Sequence, residues 1–222
     1  MRAIADLLEL LLPQRCAVCG TDAAALCERC QRAFTGSVLR QPLVGEILAF
    51  SCAEWNAETA PALLGLKQRG RTSLAKPLGQ ALGRTLRTAL AEAGPAGPVA
   101  VVPIPSRAQS MRARGFKPVE LLIRRAGAPV VPMLQFARRV ADQRGLSREQ
   151  RQANLAGALR MRGRVPRGCA GIVLVDDVIT TGATLRAGAQ ALLDASVPVI
   201  AAVSLLATRR RHARDELDEI NR

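Results

Sequence analysis

Tyrosine is absent from this 222-residue chain, tryptophan occurs once and phenylalanine four times. So thin an aromatic complement argues against binding single-stranded nucleic acid on a platform of stacked rings. Histidine occurs once, as His212 within Arg209-Arg-Arg-His-Ala-Arg214. A solvated tail is its expected place, not a catalytic centre. No apolar run is long enough to span a bilayer. The leucines of Met1 to Pro13 are interrupted by Asp6 and Glu9, and no small-residue cleavage site follows. That stretch reads as an amphipathic helix ended by Pro13 and not as a signal peptide. Its acidic polar face gives little support to a membrane-surface role. No membrane insertion and a cytoplasmic location are expected, and structural disulfides are disfavoured there.

Lysine is scarce as well. Lys67, Lys76 and Lys117 are the only lysines, so arginine carries the net charge of +14. Between Pro103 and Gly168, fourteen arginines and Lys117 face only Glu120, Asp142 and Glu149, a local surplus of +12. The guanidinium fork fits phosphate two bonds at a time, so a phosphate-bearing partner is expected. A codon bias towards arginine would leave the same composition, and composition alone does not separate the two. With 49% apolar and 23% charged residues, the 23.6 kDa chain can bury the core of one domain plus a small appendage.

Two C-x-x-C hooks stand at the front, Cys16-Ala-Val-Cys19 and Cys27-Glu-Arg-Cys30. Each hook turns two thiolates towards one centre, and the pair completes four sulfur ligands. Gly20 supplies the freedom such a turn needs. A redox dithiol needs only one hook, and the expected compartment opposes disulfides. Structural zinc held by Cys16, Cys19, Cys27 and Cys30 is the expectation, with Cys52 and Cys169 as core residues.

Behind the cysteines, Ile47 to Trp55 reads as a strand and Glu58 to Lys67 as a helix ending near Gly70. Ser73 is placed to cap a long helix reaching about Ala93. Strand and helix signals then alternate over Val99–Val102, Lys117–Arg125, Pro129–Leu134, Leu155–Met161, Gly171–Val175, Thr184–Ala195 and Val197–Leu206. Short apolar runs between helices predict an α/β fold, a mostly parallel sheet flanked by helices. Chemistry in such sheets sits beyond the carboxyl ends of the strands.

One loop stands out: Gly171-Ile-Val-Leu-Val-Asp-Asp-Val-Ile-Thr-Thr-Gly-Ala-Thr184. A buried strand delivers Asp176 and Asp177, and a short loop with two threonines and Gly182 opens into a helix. Backbone N–H groups and hydroxyls at that helix start make an anion cradle. Adjacent carboxylates can accept from vicinal hydroxyls or hold a divalent cation. Together they describe a ribose 5-phosphate site. A P-loop and a G-x-G-x-x-G element are both missing.

The segment resembles the phosphoribosyl diphosphate (PRPP) motif of type I phosphoribosyltransferases. From about Leu12 to Ala207 the chain resembles the competence protein F (ComF) family, which joins a four-cysteine zinc module to a phosphoribosyltransferase domain. Leu66-Lys67-Gln-Arg-Gly70, Val102-Pro-Ile-Pro-Ser106, Arg112-Ala-Arg-Gly-Phe116 and the Gln143–Asn154 stretch carry the resemblance further. Lys117-Pro118 departs from the family's usual Asn-Gln, although proline suits a first helical turn.

The resemblance implies an N-terminal helix and four-cysteine zinc module over residues 1–40, a phosphoribosyltransferase-like domain over 41–208 and a charged tail over 209–222. It assigns Asp176 and Asp177 to the ribose hydroxyls, and Val178, Ile179, Thr180, Thr181, Gly182, Ala183 and Thr184 to the 5-phosphate. Pro103, Ile104, Pro105, Ser106 and Arg107 would bind the diphosphate, with magnesium bridging it to the ribose. Lys67, Arg112, Arg114, Arg148 and Arg151 are candidate hood or substrate residues. Arg138, Arg139 and Arg144 belong to the same polar segment, Arg138–Ala153, which sits where related enzymes carry a closing hood. Phe116 and Phe136 are candidates for recognising an acceptor ring. Two roles stay open: transfer of a phosphoribosyl group to a nitrogen acceptor, or non-catalytic binding of PRPP or another phosphorylated sugar. The second would include a factor that binds single-stranded DNA or DNA-processing proteins during DNA uptake.

Overall fold

A computed structural model of the chain describes residues 15–106, 115–137 and 157–208. In chain order these form α1 (Glu28–Arg32), β1 (Leu39–Val44), β2 (Ile47–Glu54), α2 (Ala60–Arg69) and α3 (Ala75–Ala93). Then follow β3 (Val99–Pro103), α4 (Pro118–Arg125), β4 (Leu134–Phe136), β5 (Leu159–Met161), β6 (Gly171–Ile179), α5 (Ala183–Leu193) and β7 (Val199–Ala207).

Five strands make one sheet in the order β1-β2-β7-β6-β3. The β2–β7, β7–β6 and β6–β3 pairs are parallel, so their carboxyl ends share one edge. Alternation along the strands divides the core in two. Val101, Val173, Val175, Val203 and Leu205 meet Leu63, Leu66, Leu78, Leu82 and Ile123 of α2, α3 and α4. Val102, Ile172, Leu174, Val199 and Ala202 meet Leu185, Ala189 and Leu192 of α5. Helices therefore cover both faces, as the apolar strand runs require. Where a hydroxyl interrupts them it is satisfied: Ser204 donates to Leu206 O at 2.8 Å and lies 2.7 Å from the Ser51 hydroxyl.

Three local expectations change. Strand β1 was not foreseen. It is an edge strand, half of its residues exposed, paired antiparallel with β2 across the turn at Gly45, and the edge tolerates Pro42. Ser73 does not cap α3: Thr72–Leu74 form a 3-10 turn, and α3 begins at Ala75 without a side-chain cap. Leu74 is completely buried and packs over Gly65, so tertiary packing sets this helix start. The Pro129–Leu134 and Leu155–Met161 signals do not add strands to the main sheet. Val130 makes one bridge with Val101, and β4 pairs with β5 in a separate antiparallel ladder. Pro132 has no N–H to continue the first ladder.

The cysteine segment packs into the first core cluster, where Cys16, Leu26, Cys30 and Phe34 join α2 and α3. Arg71 donates to Arg15 O at 2.7 Å and Arg84 to Phe34 O at 2.8 Å. Cys52 is buried as expected, whereas Cys169 is only half-buried.

Helices α3 and α4 approach closely because α3 presents Gly79 and Gly83. A Cβ at Gly83 would lie 2.9 Å from Ala126 O, and one at Gly79 would collide with Arg125. Alanine in a helix gains about 1 kcal/mol over glycine, but overpacking costs about 1–3 kcal/mol. The Arg125 backbone cannot swing aside, so Gly79→Ala is expected to lower the Tm. Gly36→Ala, with nothing within 4 Å of the added carbon, is expected to leave it unchanged in the same thermal melts.

Candidate functional site

Strand β6 runs apolar from Gly171 to Val175 and then carries Asp176 and Asp177 without leaving the sheet. Asp176 lies in register with Ser204 of β7. Its Oδ1 accepts from the Asp177 N–H at 2.8 Å. Lys67, in the last turn of α2, places Nζ 2.8 Å from Asp177 Oδ2, and both side chains are largely buried. Burial and the neighbouring Asp177 charge raise the Asp176 carboxyl well above the usual range, to about 8, against the pull of the Asp177 N–H and Lys67. Lys67, expected as a hood or substrate residue, is thus brought directly to the acidic pair.

Beyond β6 the chain turns sharply into α5. Gly182 is the N-cap at φ 75°, a conformation that glycine adopts without strain. The Ala183 N–H donates to Thr181 Oγ1 at 3.3 Å, and Thr208 Oγ1 donates to Thr180 O at 3.2 Å. Of the seven residues expected at the 5-phosphate, Thr180 to Thr184 form this turn and helix start. Val178 and Ile179 are still strand residues paired with Leu206 and Ala207. Arg186, one turn into α5, rests its guanidinium against Gly182: a Cβ on that glycine would lie 3.0 Å from Nη1. It was missed from sequence because a single arginine at helical spacing carries no signature.

The proposed diphosphate loop leaves β3 beside the acids, since Pro103 pairs with Val175. Pro103 and Pro105 have no N–H, and the Ile104 N–H is committed to Val175 O at 2.8 Å. Ser106 is the described residue of this loop with an N–H outside the ladder. Arg107, Arg112, Arg114, Arg138, Arg139, Arg144, Arg148 and Arg151 lie outside the described residues.

A cavity of about 470 Å³ opens beside Asp177, lined by Trp55, Leu64, Lys67, Gln68, Val178, Thr180 and Thr208 as well. Trp55, Gln68 and Thr208 were not foreseen. The available signal was position, because Trp55 and Thr208 each follow a parallel strand at its carboxyl end. Phe116 and Phe136, expected as ring-recognition candidates, pack against the two core clusters and do not line this cavity.

The four front cysteines form a second centre. Their sulfurs all lie within 4.8 Å of one another, with Cys19 and Cys27 3.6 Å apart. Zinc–sulfur bonds of about 2.3 Å in a tetrahedron put sulfurs about 3.8 Å apart, so this donor set could hold a zinc ion. Gly20 closes the first hook at φ 74°. The Thr21 hydroxyl and N–H bring Cys19 down to about 5, while burial pushes Cys30 up to about 12. Four sulfur ligands leave no open position, so zinc there would supply cross-linking of the fold.

The family model of the phosphoribosyl transferase domain matches residues 74–221, and the chain belongs to that family. Among solved structures it is similar to a crystal structure of adenine phosphoribosyltransferase, at 16% identity and a TM-score of 0.40, over 80% of this chain and 89% of that one. The Saccharomyces cerevisiae adenine phosphoribosyltransferase, complexed with an imino-altritol bisphosphate and adenine, is similar at 14% identity and a TM-score of 0.38, over 82% and 89%. No curated protein matches the chain. Among the described residues no helix is long and apolar enough to cross a membrane.

Asp176 takes up its proton near pH 8 in the folded chain but only near pH ~4 when unfolded. The folded state holds the extra proton between those values, so this group's contribution makes stability fall as pH rises through the window. Asp176→Asn is expected to abolish that slope, with a Tm above wild type at pH ~8 and equal to it near pH ~4. At the cysteine centre, metal analysis is expected to find one zinc per chain, lost in Cys27→Ser together with a lower Tm, since the energy of binding a structural metal is folding energy. Four front cysteines that alkylate readily in a zinc-free native chain would refute it.

Proposed function

We propose that the chain binds PRPP as its magnesium complex and transfers the phosphoribosyl group to a nitrogen acceptor, releasing diphosphate. The observation that carries this reading is the continuity of β6: two acids near its end lead within five residues to a glycine-capped helix start, beside the loop leaving β3. Asp176 and Asp177 accept from the ribose hydroxyls. Thr180 to Thr184 surround the 5-phosphate, with the helix dipole and Arg186 offsetting its charge. Ser106 and the residues after it meet the diphosphate.

In the reaction the acceptor nitrogen's lone pair forms the C1–N bond while the C1–O bond to diphosphate breaks. The electron pair leaves with diphosphate, and the acceptor's ring proton passes to water. No protein nucleophile is required. The work is orientation and neutralisation of the leaving group. The match to the domain family and the clustered cysteines ahead of the domain support the finer ComF-like assignment.

Calorimetric titration with PRPP and magnesium tests the site. Each lost charge-assisted hydrogen bond is worth about 1.5–3 kcal/mol, so the Asp176→Asn/Asp177→Asn double variant is expected to bind PRPP at least about tenfold more weakly. Equal affinity in the two proteins would overturn the assignment.

A further inference from the structure

The four front cysteines are not equivalent. Cys16 and Cys30 are only 3% and 7% exposed, packed in the same core cluster as Leu63 and Leu66 of α2. Cys19 and Cys27 are partly exposed, and their sulfurs stand 3.6 Å apart. Each C-x-x-C hook therefore gives one sulfur to the core and one to the surface. The two surface sulfurs come from different hooks.

Four sulfur ligands close the coordination of a metal, but they do not end the chemistry of the sulfurs. The thiolate is both the metal ligand and the nucleophile, so a bound sulfur that solvent can reach stays open to an oxidant. Cys52 and Cys169 offer no comparable pair, since neither belongs to the cysteine cluster. Cys52 is buried and accepts from Thr85 Oγ1 at 3.1 Å, while Cys169 Sγ donates to Gly171 O at 3.2 Å.

We propose that Cys19 and Cys27 are a peroxide-sensitive pair: a hydroperoxide oxidises them to a disulfide, which releases zinc and loosens the module's hold on α2. The Cys19 thiolate attacks the outer peroxide oxygen. The S–O bond forms as the O–O bond breaks, leaving a sulfenic acid at Cys19. The departing oxygen anion carries the electron pair and takes a proton from water. The Cys27 thiolate then attacks the Cys19 sulfur; the S–S bond forms, the S–O bond breaks, and hydroxide leaves and is protonated to water. The two sulfurs together lose two electrons, and the peroxide gains them. Only Cys16 and Cys30 then remain as ligands, half of the donor set.

The consequence for α2 follows from where the ties lie. The new S–S bond joins the outer rim, whereas Cys16 and Cys30, on the core side, lose the metal they share. The first hook rests directly on α2, with Ala17 3.8 Å from where a Cβ on Gly65 would stand. Arg71 spans the same seam, donating through its N–H to Gly65 O at 3.1 Å and through its guanidinium to Arg15 O at 2.7 Å. Helix α5 packs in the other core cluster, away from the cysteines. The proposal rests on the zinc reading of the cysteine centre and is independent of PRPP.

The test treats the zinc-loaded full-length chain with hydrogen peroxide in the presence of a chromogenic zinc chelator. Release of the bound zinc, a Cys19–Cys27 linkage in non-reducing peptide mapping and a lower Tm are expected. Amide hydrogen exchange is expected to quicken in α2 and to stay unchanged in α5. A dithiol followed by fresh zinc should reverse all of these changes. Cys27→His keeps a zinc ligand but has no sulfur to complete the disulfide, so it is expected to hold zinc and to lose it more slowly under peroxide. Cys169→Ser is expected to respond as wild type does. A chain isolated without zinc would overturn the zinc reading and this one together. Zinc retained under peroxide, linkages confined to Cys16–Cys19 or Cys27–Cys30, or wild-type release from Cys27→His would overturn the switch alone. Zinc loss with unchanged exchange in α2 would overturn its tie to that helix.

Discussion

Two adjacent carboxylates at the end of an apolar strand are the constraint around which the structure is arranged. Val173, Leu174 and Val175 are fully buried, so the chain reaches Asp176 and Asp177 already deep between β3 and β7. Two neighbouring anions in such a place repel and lose hydration. Three responses are visible: Lys67 pairs with Asp177, the Asp177 N–H serves Asp176, and Asp176 keeps its proton to higher pH. An acidic pair held this way can accept from hydroxyls or hold a cation, as the proposed PRPP reading requires.

Much of this was legible in the residues. Apolar runs of strand length separated by helical spacing defined the parallel sheet, because burial on both faces leaves no room for alternation. The order Asp176-Asp177 then Thr180-Thr181-Gly182 was readable because a glycine-opened helix start has few other uses beside acids. Less legible was whatever depends on partners distant in sequence. β1 gives no strand signal because an edge strand containing Pro42 lacks the apolar run of its neighbours. The start of α3 is decided by Leu74 seated over Gly65, a contact that no local capping rule contains. Trp55 and Thr208 are ordinary strand-end residues until the order β2-β7-β6 brings them to one cavity.

The arginine surplus changes meaning in the same way. The arginines expected from sequence to meet the phosphates fall in residues 107–114 and 138–156, outside the described residues. The described cations at the site come instead from elsewhere: Lys67 on α2 and Arg186 on α5. Charge density along the chain did not select the side chains that the fold sets beside the acids.

Helix α2 links the two centres. One side packs its Leu63 and Leu66 into the cluster that contains Cys16, Cys30 and Phe34; another carries Lys67 to Asp177 and Gln68 to the cavity. Ala17, inside the first hook, lies 3.8 Å from where a Cβ on Gly65 would stand. A zinc ion tightening the four cysteines would therefore brace α2 from behind. A closed metal site has no open coordination position of its own. Its contribution would be to hold a lysine at a carboxylate, and that requires only that the module and α2 share one core.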